Sequence, residues 1–361
     1  YIIYVFSKFY NMQTDSQNFR ITDDSSISTT KINGQIDKKY ELTNEKKYEL
    51  TNETIMFNGH KLYRIVAIKW FDNVCCGALG GFVESENNLS QQGNCWIYDD
   101  AKVYENAKVL DDAVVADNSE VYGSAVICDA AKIKCNAVVC DTATIFDNAI
   151  IYGYSQVSGN AKIFNDCVLV DKSKVQDEAT LKGKCKLYNN TVVKDNAYLV
   201  GTVRTFGNTV IGGNAFLSTE KTPGSAFPKV PDMQIKLHDT KIFGDVCMSS
   251  AYGPINIYGN NVLFGKFTVY GNLYLTDNNY ICSDKQFRIY KLIPAFFKDE
   301  IYVTYSYQLD KFYIYNGYNT HIGNFSGNAK KLLVYINKEY RNDANMLNGV
   351  NKILEDIKQQ Y

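Results

Sequence analysis

Residues 101–154 read AKVYEN AKVLDD AVVADN SEVYGS AVICDA AKIKCN AVVCDT ATIFDN AIIYGY, one six-residue phrase renewed nine times. The register holds outward from this stretch, from Cys95 to Thr219. An aliphatic position recurs from Ile97 to Leu217. Of its 21 occurrences 20 are Ile, Val or Leu, and Thr205 is the exception. So short and regular a period marks a solenoid, in which each repeat touches only its neighbours.

The chemistry within one hexad gives the shape. In Ala107-Lys108-Val109-Leu110-Asp111-Asp112, Val109 and Ala107 point inward. Lys108 and Leu110 point outward, because side chains alternate along a strand. Asp111-Asp112 makes a corner. Asp, Asn and Gly fill the other corners (Asp117-Asn118, Asp147-Asn148, Gly159-Asn160, Gly213-Asn214). These residues tolerate the left-handed backbone of a sharp turn. Three hexads close one triangular coil of 18 residues, so the 21 hexads make seven coils. Coils stack at about 4.8 Å, the ordinary strand spacing. A five-residue period would have meant a square solenoid, and it does not fit.

The chain has 361 residues, a net charge of −1, 28 Tyr, five Pro and ten Cys. That balance gives no electrostatic reason to expect nucleic acid or an anionic membrane as partner. The cysteines lack metal-ligand spacing and read as free thiols of a reducing compartment. Tyr1 to Tyr10 is apolar but too short to span a bilayer. Residues 1–11 precede Met12 and read as upstream sequence. A cytoplasmic or virion location is expected.

The expected organisation has seven parts. Residues 1–37 are a polar, flexible N-terminal arm, and 38–94 form a hairpin cap. The cap holds the tandem copy KKYELTNE at 38–45 and 46–53, and a turn at Asn58-Gly59 between β-prone runs. Residues 95–218 form the regular solenoid. Residues 219–234, with three of the five prolines, form an extruded loop. The period resumes irregularly over 235–284, at Ile257, Leu263, Val269, Leu275 and Ile281. Residues 285–324 alternate as a β-meander. Residues 325–361 turn to helical spacing as a two-helix cap, with Asn328 and Asp343 as N-caps.

The alternation of small and aliphatic residues at period six resembles the hexapeptide repeat of left-handed parallel β-helices. Gly80-Gly81-Phe82-Val83-Glu84-Ser85, with Asn88-Leu89-Ser90 and Gly93-Asn94-Cys95-Trp96, is similar to the N-terminal hallmark of the YdcK-like proteins. These belong to the trimeric LpxA-like superfamily and are often phage-associated. The resemblance covers about 48–218 and fades over 219–320. It implies an all-β fold, a left-handed parallel β-helix with end caps, and a trimer. The acetyltransferase label such proteins carry rests on fold analogy, and fold alone does not give function.

Hexapeptide acyltransferases use a histidine base near a subunit boundary. This chain has His60, His238 and His321, none of them in the regular coils. His60 reads as a turn residue and His321 as part of the meander. His238 follows the extruded loop and is the one candidate base. Three histidines converging on zinc are absent from the coils, so a carbonic-anhydrase reading falls. No metal is expected. Corner carboxylates such as Asp129 and Asp147 are explained by turn chemistry before calcium. Cys167 and Cys185 lie one coil apart and read as small buried residues rather than a disulfide.

The three outer faces differ. Face one displays Trp96, Tyr98, Val114, Ile150, Tyr152, Val168, Val170, Tyr188 and Phe206. Face two is polar and face three intermediate. A large apolar patch marks an interface. The expectation is a non-catalytic structural or assembly scaffold, phage- or virus-associated, that self-associates through its apolar faces as a trimer or meets another protein, without a cofactor. The alternative is an acyl-CoA-dependent acyltransferase that uses His238 at a subunit interface, with acetyl-CoA as cofactor.

Overall fold

The computed structural model describes residues 46–220, 233–250, 253–271, 273–276, 279–282, 287–292, 301–306, 311–316, 325–341 and 343–359. The expected arm, the first KKYELTNE copy, residues 221–232 of the extruded loop and His321 lie outside them.

The chain is a parallel β-solenoid. Two-residue strands recur at every hexad and pair in register with the strand 18 residues away, as Ile133 does with Val115 and Ile151. Three sheets result, of 13, 10 and 9 strands, and they correspond to faces two, one and three. Every inward aliphatic residue from Ile97 to Leu217 is fully buried, together with its small partner two places before it. The inward column therefore forms one continuous hydrophobic core.

The corners do more than turn. Asp99, Asp111, Asp117, Asp129, Asp141 and Asp147 all have φ between +52° and +62°. Their carboxylates reach one coil onward and accept the backbone N–H of the next left-handed residue. Asp117 takes that of Cys135 (2.8 Å), Asp141 that of Gly159 (2.8 Å) and Asp195 that of Gly213 (2.8 Å). Asp147 accepts both the N–H (3.0 Å) and the side-chain amide (2.7 Å) of Asn165. Each corner carboxylate thus satisfies a donor that strand pairing leaves over. Turn propensity alone does not reveal this ladder.

The solenoid starts earlier than the hexad count. β1 (Tyr48–Phe57) and β2 (His60–Ala67) form a hairpin whose turn has Asn58 and Gly59 both at positive φ. β2 pairs antiparallel with β3 (Leu79–Val83), and β3 pairs parallel with Lys102-Val103. Leu89 bridges to Val109. Val83 and Leu89 therefore begin a coil with a 20-residue offset, and the hairpin extends face two. A Cβ on Gly80 would lie 2.6 Å from the Ile97 carbonyl oxygen and 2.7 Å from the Trp96 ring, so that close crossing needs glycine.

Lys47 and Tyr48 fasten the hairpin. The Lys47 ammonium is buried and donates to the carbonyls of Gln92 (3.2 Å), Gly93 (3.2 Å) and Cys95 (2.9 Å). Burial lowers its pKa, and Cys95 opposes that shift. The Tyr48 hydroxyl donates to the Leu89 carbonyl (2.8 Å).

Past the loop the coil resumes at once rather than at Ile257. Leu237, Ile242 and Met248 pair with Thr205, Ile211 and Leu217. The inward spacing is five residues from Leu237 to Ile242 and nine from Met248 to Ile257, which hides this coil from a six-residue reading. The core runs on to Ile281. A four-stranded antiparallel sheet follows in chain order (Phe287–Leu292, Ile301–Ser306, Lys311–Asn316, Phe325–Gly327). Helices α1 (Ala329–Glu339) and α2 (Ala344–Gln359) pack with it around Leu332, Ile336, Met346 and Val350. Asn328 and Asp343 cap them through the N–H groups of Lys331 and Met346 (both 3.1 Å).

Asp147 separates the two corner roles. Asp147→Asn keeps an acceptor and the left-handed preference, and should cost under about 0.5 kcal/mol. Asp147→Gly loses only the acceptor and should cost about 1 kcal/mol. Asp147→Ala loses both and should cost about 2 kcal/mol. Val139→Asp, an unpaired charge in the column, should prevent folding. Denaturant unfolding followed by circular dichroism checks the order.

Candidate functional site

Face one carries the candidate site, at the first strand after the loop. Ile235–His238 pairs with Val203–Phe206 on one side and Ile255–Tyr258 on the other. Alternation buries Ile235 and Leu237 and turns Lys236 and His238 outward. His238 continues an aromatic column. Its ring lies 6.3 Å from that of Phe206, which stacks 4.9 Å from Tyr188.

Asp239 orients the imidazole. Its Oδ2 is 2.8 Å from His238 Nδ1. Its Oδ1 accepts the backbone N–H (2.7 Å) and side-chain amide (3.2 Å) of Asn208. Asp239 sits at a left-handed corner (φ +51°), but its carboxylate turns back toward the preceding coil instead of onward. Gly207 makes room, since a Cβ there would run into this carboxylate. A neutral imidazole that donates from Nδ1 to this carboxylate would present Nε2 as an acceptor. That is the disposition of a general base. Sequence adjacency could not reveal it, because the orientation depends on Asn208 and Gly207 one coil earlier.

The other histidine in the described residues is engaged on both sides. His60 Nδ1 lies 3.0 Å from Glu84 Oε1, and Nε2 lies 3.4 Å from Glu105 Oε1. Its ring packs 5.2 Å from Tyr104. Glu84 also accepts the backbone N–H of Glu105 (2.6 Å). The His60 hydrogen bond, with that backbone N–H, holds the Glu84 carboxyl below the usual range against partial desolvation. His60 therefore clamps the hairpin to the coils.

The expected interface residues divide. Trp96 is buried, edge-on to Tyr48 (6.1 Å) and Phe71 (5.3 Å), so the hairpin and the loop after it remove it from the outer surface. Tyr98 packs partly against the core. Val114, Ile150, Val168, Val170, Tyr188 and Phe206 are half-buried. Tyr152 (47 %) and the neighbouring Tyr154 (61 %) are exposed.

All ten cysteines are free. Burial pushes the Cys128 thiol up to about 12 and that of Cys247 up to about 11. The Cys167 thiol alongside, with burial, holds Cys185 protonated far above its ordinary range. These thiols are poor nucleophiles at neutral pH. Among the described residues no group of three His, Cys, Asp or Glu is placed to hold a metal ion. No helix among them is long and apolar enough to cross a membrane.

No family model matches the chain. A 62-residue segment is 39 % identical to the "Uncharacterized acetyltransferase YdcK" of Escherichia coli (strain K12). The match covers 17 % of this chain and 19 % of that protein. Together with the stacked coils, this supports reading the chain as a hexapeptide-repeat protein.

The His60–Glu84 clamp makes the hairpin acid-labile. A carboxyl depressed on folding contributes stability above its unfolded pKa, near 4.5, and loses that contribution as pH falls through the folded value. In a Trp70→Phe background Trp96 reports docking. Its emission should shift to the red on acidification below about pH 4.5, the unfolded carboxylate range. Glu84→Gln should flatten that transition.

Proposed function

We propose that the chain is an assembly scaffold whose face one meets other copies of itself. The observation that carries this is the patch of Ile150, Tyr152, Val168 and Val170. These side chains stand outward, partly or largely exposed, and no described segment is packed over them. The C-terminal helices pack on the meander around their own core. An uncovered apolar patch on a rigid sheet marks an interface. A three-fold arrangement brings one such face per subunit to a common axis.

The stacked rings suit packing better than sugar binding. Tyr188 and Phe206 lie at 4° to each other, and Phe146 and Phe164 on face three at 7°. One π face of each ring is covered by its stacking partner, which leaves less of it open to a sugar.

A second reading rests on the His238–Asp239 pair and on the name of the E. coli relative. His238 Nε2 would take the proton of an acceptor hydroxyl or amine as it attacks the carbonyl of an acyl-CoA thioester. The C–S bond would then break, and CoA would leave as its thiol.

Ile150→Asp combined with Val168→Asp should convert a trimer to folded monomers in light scattering, with an unchanged β-sheet spectrum. A monomeric wild type at tens of micromolar would remove the scaffold reading. Incubation with acetyl-CoA should release no CoA thiol if that reading holds. Thiol release that His238→Ala abolishes would decide for acyl transfer instead.

A further inference from the structure

The outward positions of face one divide along the solenoid. Beyond the apolar patch, Lys186, Arg204 and Lys236 follow one another in paired register. They stand on adjacent strands, about 4.8 Å apart, and on the same side of the sheet as Tyr188, Phe206 and His238. None of the three cations has a carboxylate within salt-bridge distance among the described residues. The outward positions of this face, from Trp96 to Tyr274, contain no Asp or Glu. Lys184, at the corner before the column, adds a further positive charge. Of the carboxylates at the flanking corners, Asp239 is taken by His238 and Asn208, Asp171 by Asn189 and Asp166 by Asn148.

Arg204 is the central member. Its Nε is shut off from solvent and has no hydrogen-bond partner among the described residues. A desolvated guanidinium donor costs stability unless it is answered. Like charges held at strand spacing repel one another. A folded protein relieves such a row with a counter-charge, and the described residues supply none.

We propose that Lys186, Arg204 and Lys236 form a binding site for a phosphate-class anion of at least two phosphoryl groups. Arg204 would be the central, fork-like donor and the two lysines flanking point charges. The row spans two strand spacings, about 10 Å, which favours an extended polyanion over a single phosphate. Stacked Tyr188 and Phe206 form the wall beside it, and His238 stands at its edge.

The test uses the full chain, with inorganic pyrophosphate, tripolyphosphate and inorganic phosphate as probes at ionic strength matched with NaCl. Calorimetry and thermal melting give the readout. Pyrophosphate and tripolyphosphate should bind and raise the melting temperature, and phosphate should bind at least tenfold more weakly. Arg204→Gln should weaken pyrophosphate at least tenfold. Lys132→Gln, a lysine of the same face two or more coils away, should leave binding unchanged. Lys186→Gln should raise the melting temperature without ligand, because it relieves repulsion. The Ile150→Asp variant, whose substitution lies two coils from Lys186, should bind as wild type, which separates this site from assembly. The proposal is overturned by any of three results: no pyrophosphate binding at millimolar concentration, equal loss in Lys132→Gln and Arg204→Gln, or binding of a tetraglutamate peptide in preference to pyrophosphate.

Discussion

Parallel coils can stack at strand spacing only if the chain leaves each short strand through a left-handed backbone residue at the same height. That corner governs the rest of the structure. It calls for Asp, Asn or Gly at one place in six, and this sets the period. It also turns one backbone N–H per corner away from the strand ladder. The carboxylate one coil earlier accepts it, as Asp147 does for Asn165. The aliphatic column stacks in register because the corners stack in register. Glu105 and Cys135, which hold positive φ without the usual corner chemistry, still occupy the ladder, as donors to Glu84 and Asp117.

Much of this was legible in the residues. The column from Ile97 to Leu217, the Asn58-Gly59 hairpin and the caps Asn328 and Asp343 follow from local periodicity and turn chemistry, which act over a few residues. The failures have one cause, geometry set across coils. Leu237, Ile242 and Met248 escaped because insertions and a one-residue deletion alter spacing along the chain while leaving the pairing between coils intact. Trp96 looked outward by alternation. It is buried because Tyr48 and Phe71, distant in sequence, close over it. His60 looked like a simple turn residue until Glu84 and Glu105 came to either side of it. The His238 partner could be named from adjacency, but its orientation could not.

Face one gathers the features that bear on function, and its two halves have different chemistry. Near the middle of the solenoid it is apolar and uncovered. Farther along it carries cations, stacked rings and the His238–Asp239 pair. The same periodic frame supports both, since an outward side chain can change without disturbing the inward column. A solenoid can therefore present a packing surface and a polar site on one sheet, each set by a few residues. The choice between assembly and acyl transfer rests on face one itself.

A crystal structure of the full chain tests the central claim most directly. The account predicts that Val103, Val121, Val139 and Val157 lie on one line at about 4.8 Å intervals, with the Asp147 carboxylate on the Asn165 N–H. Coordinates that place these valines on different faces, or point that carboxylate into solvent, would contradict it.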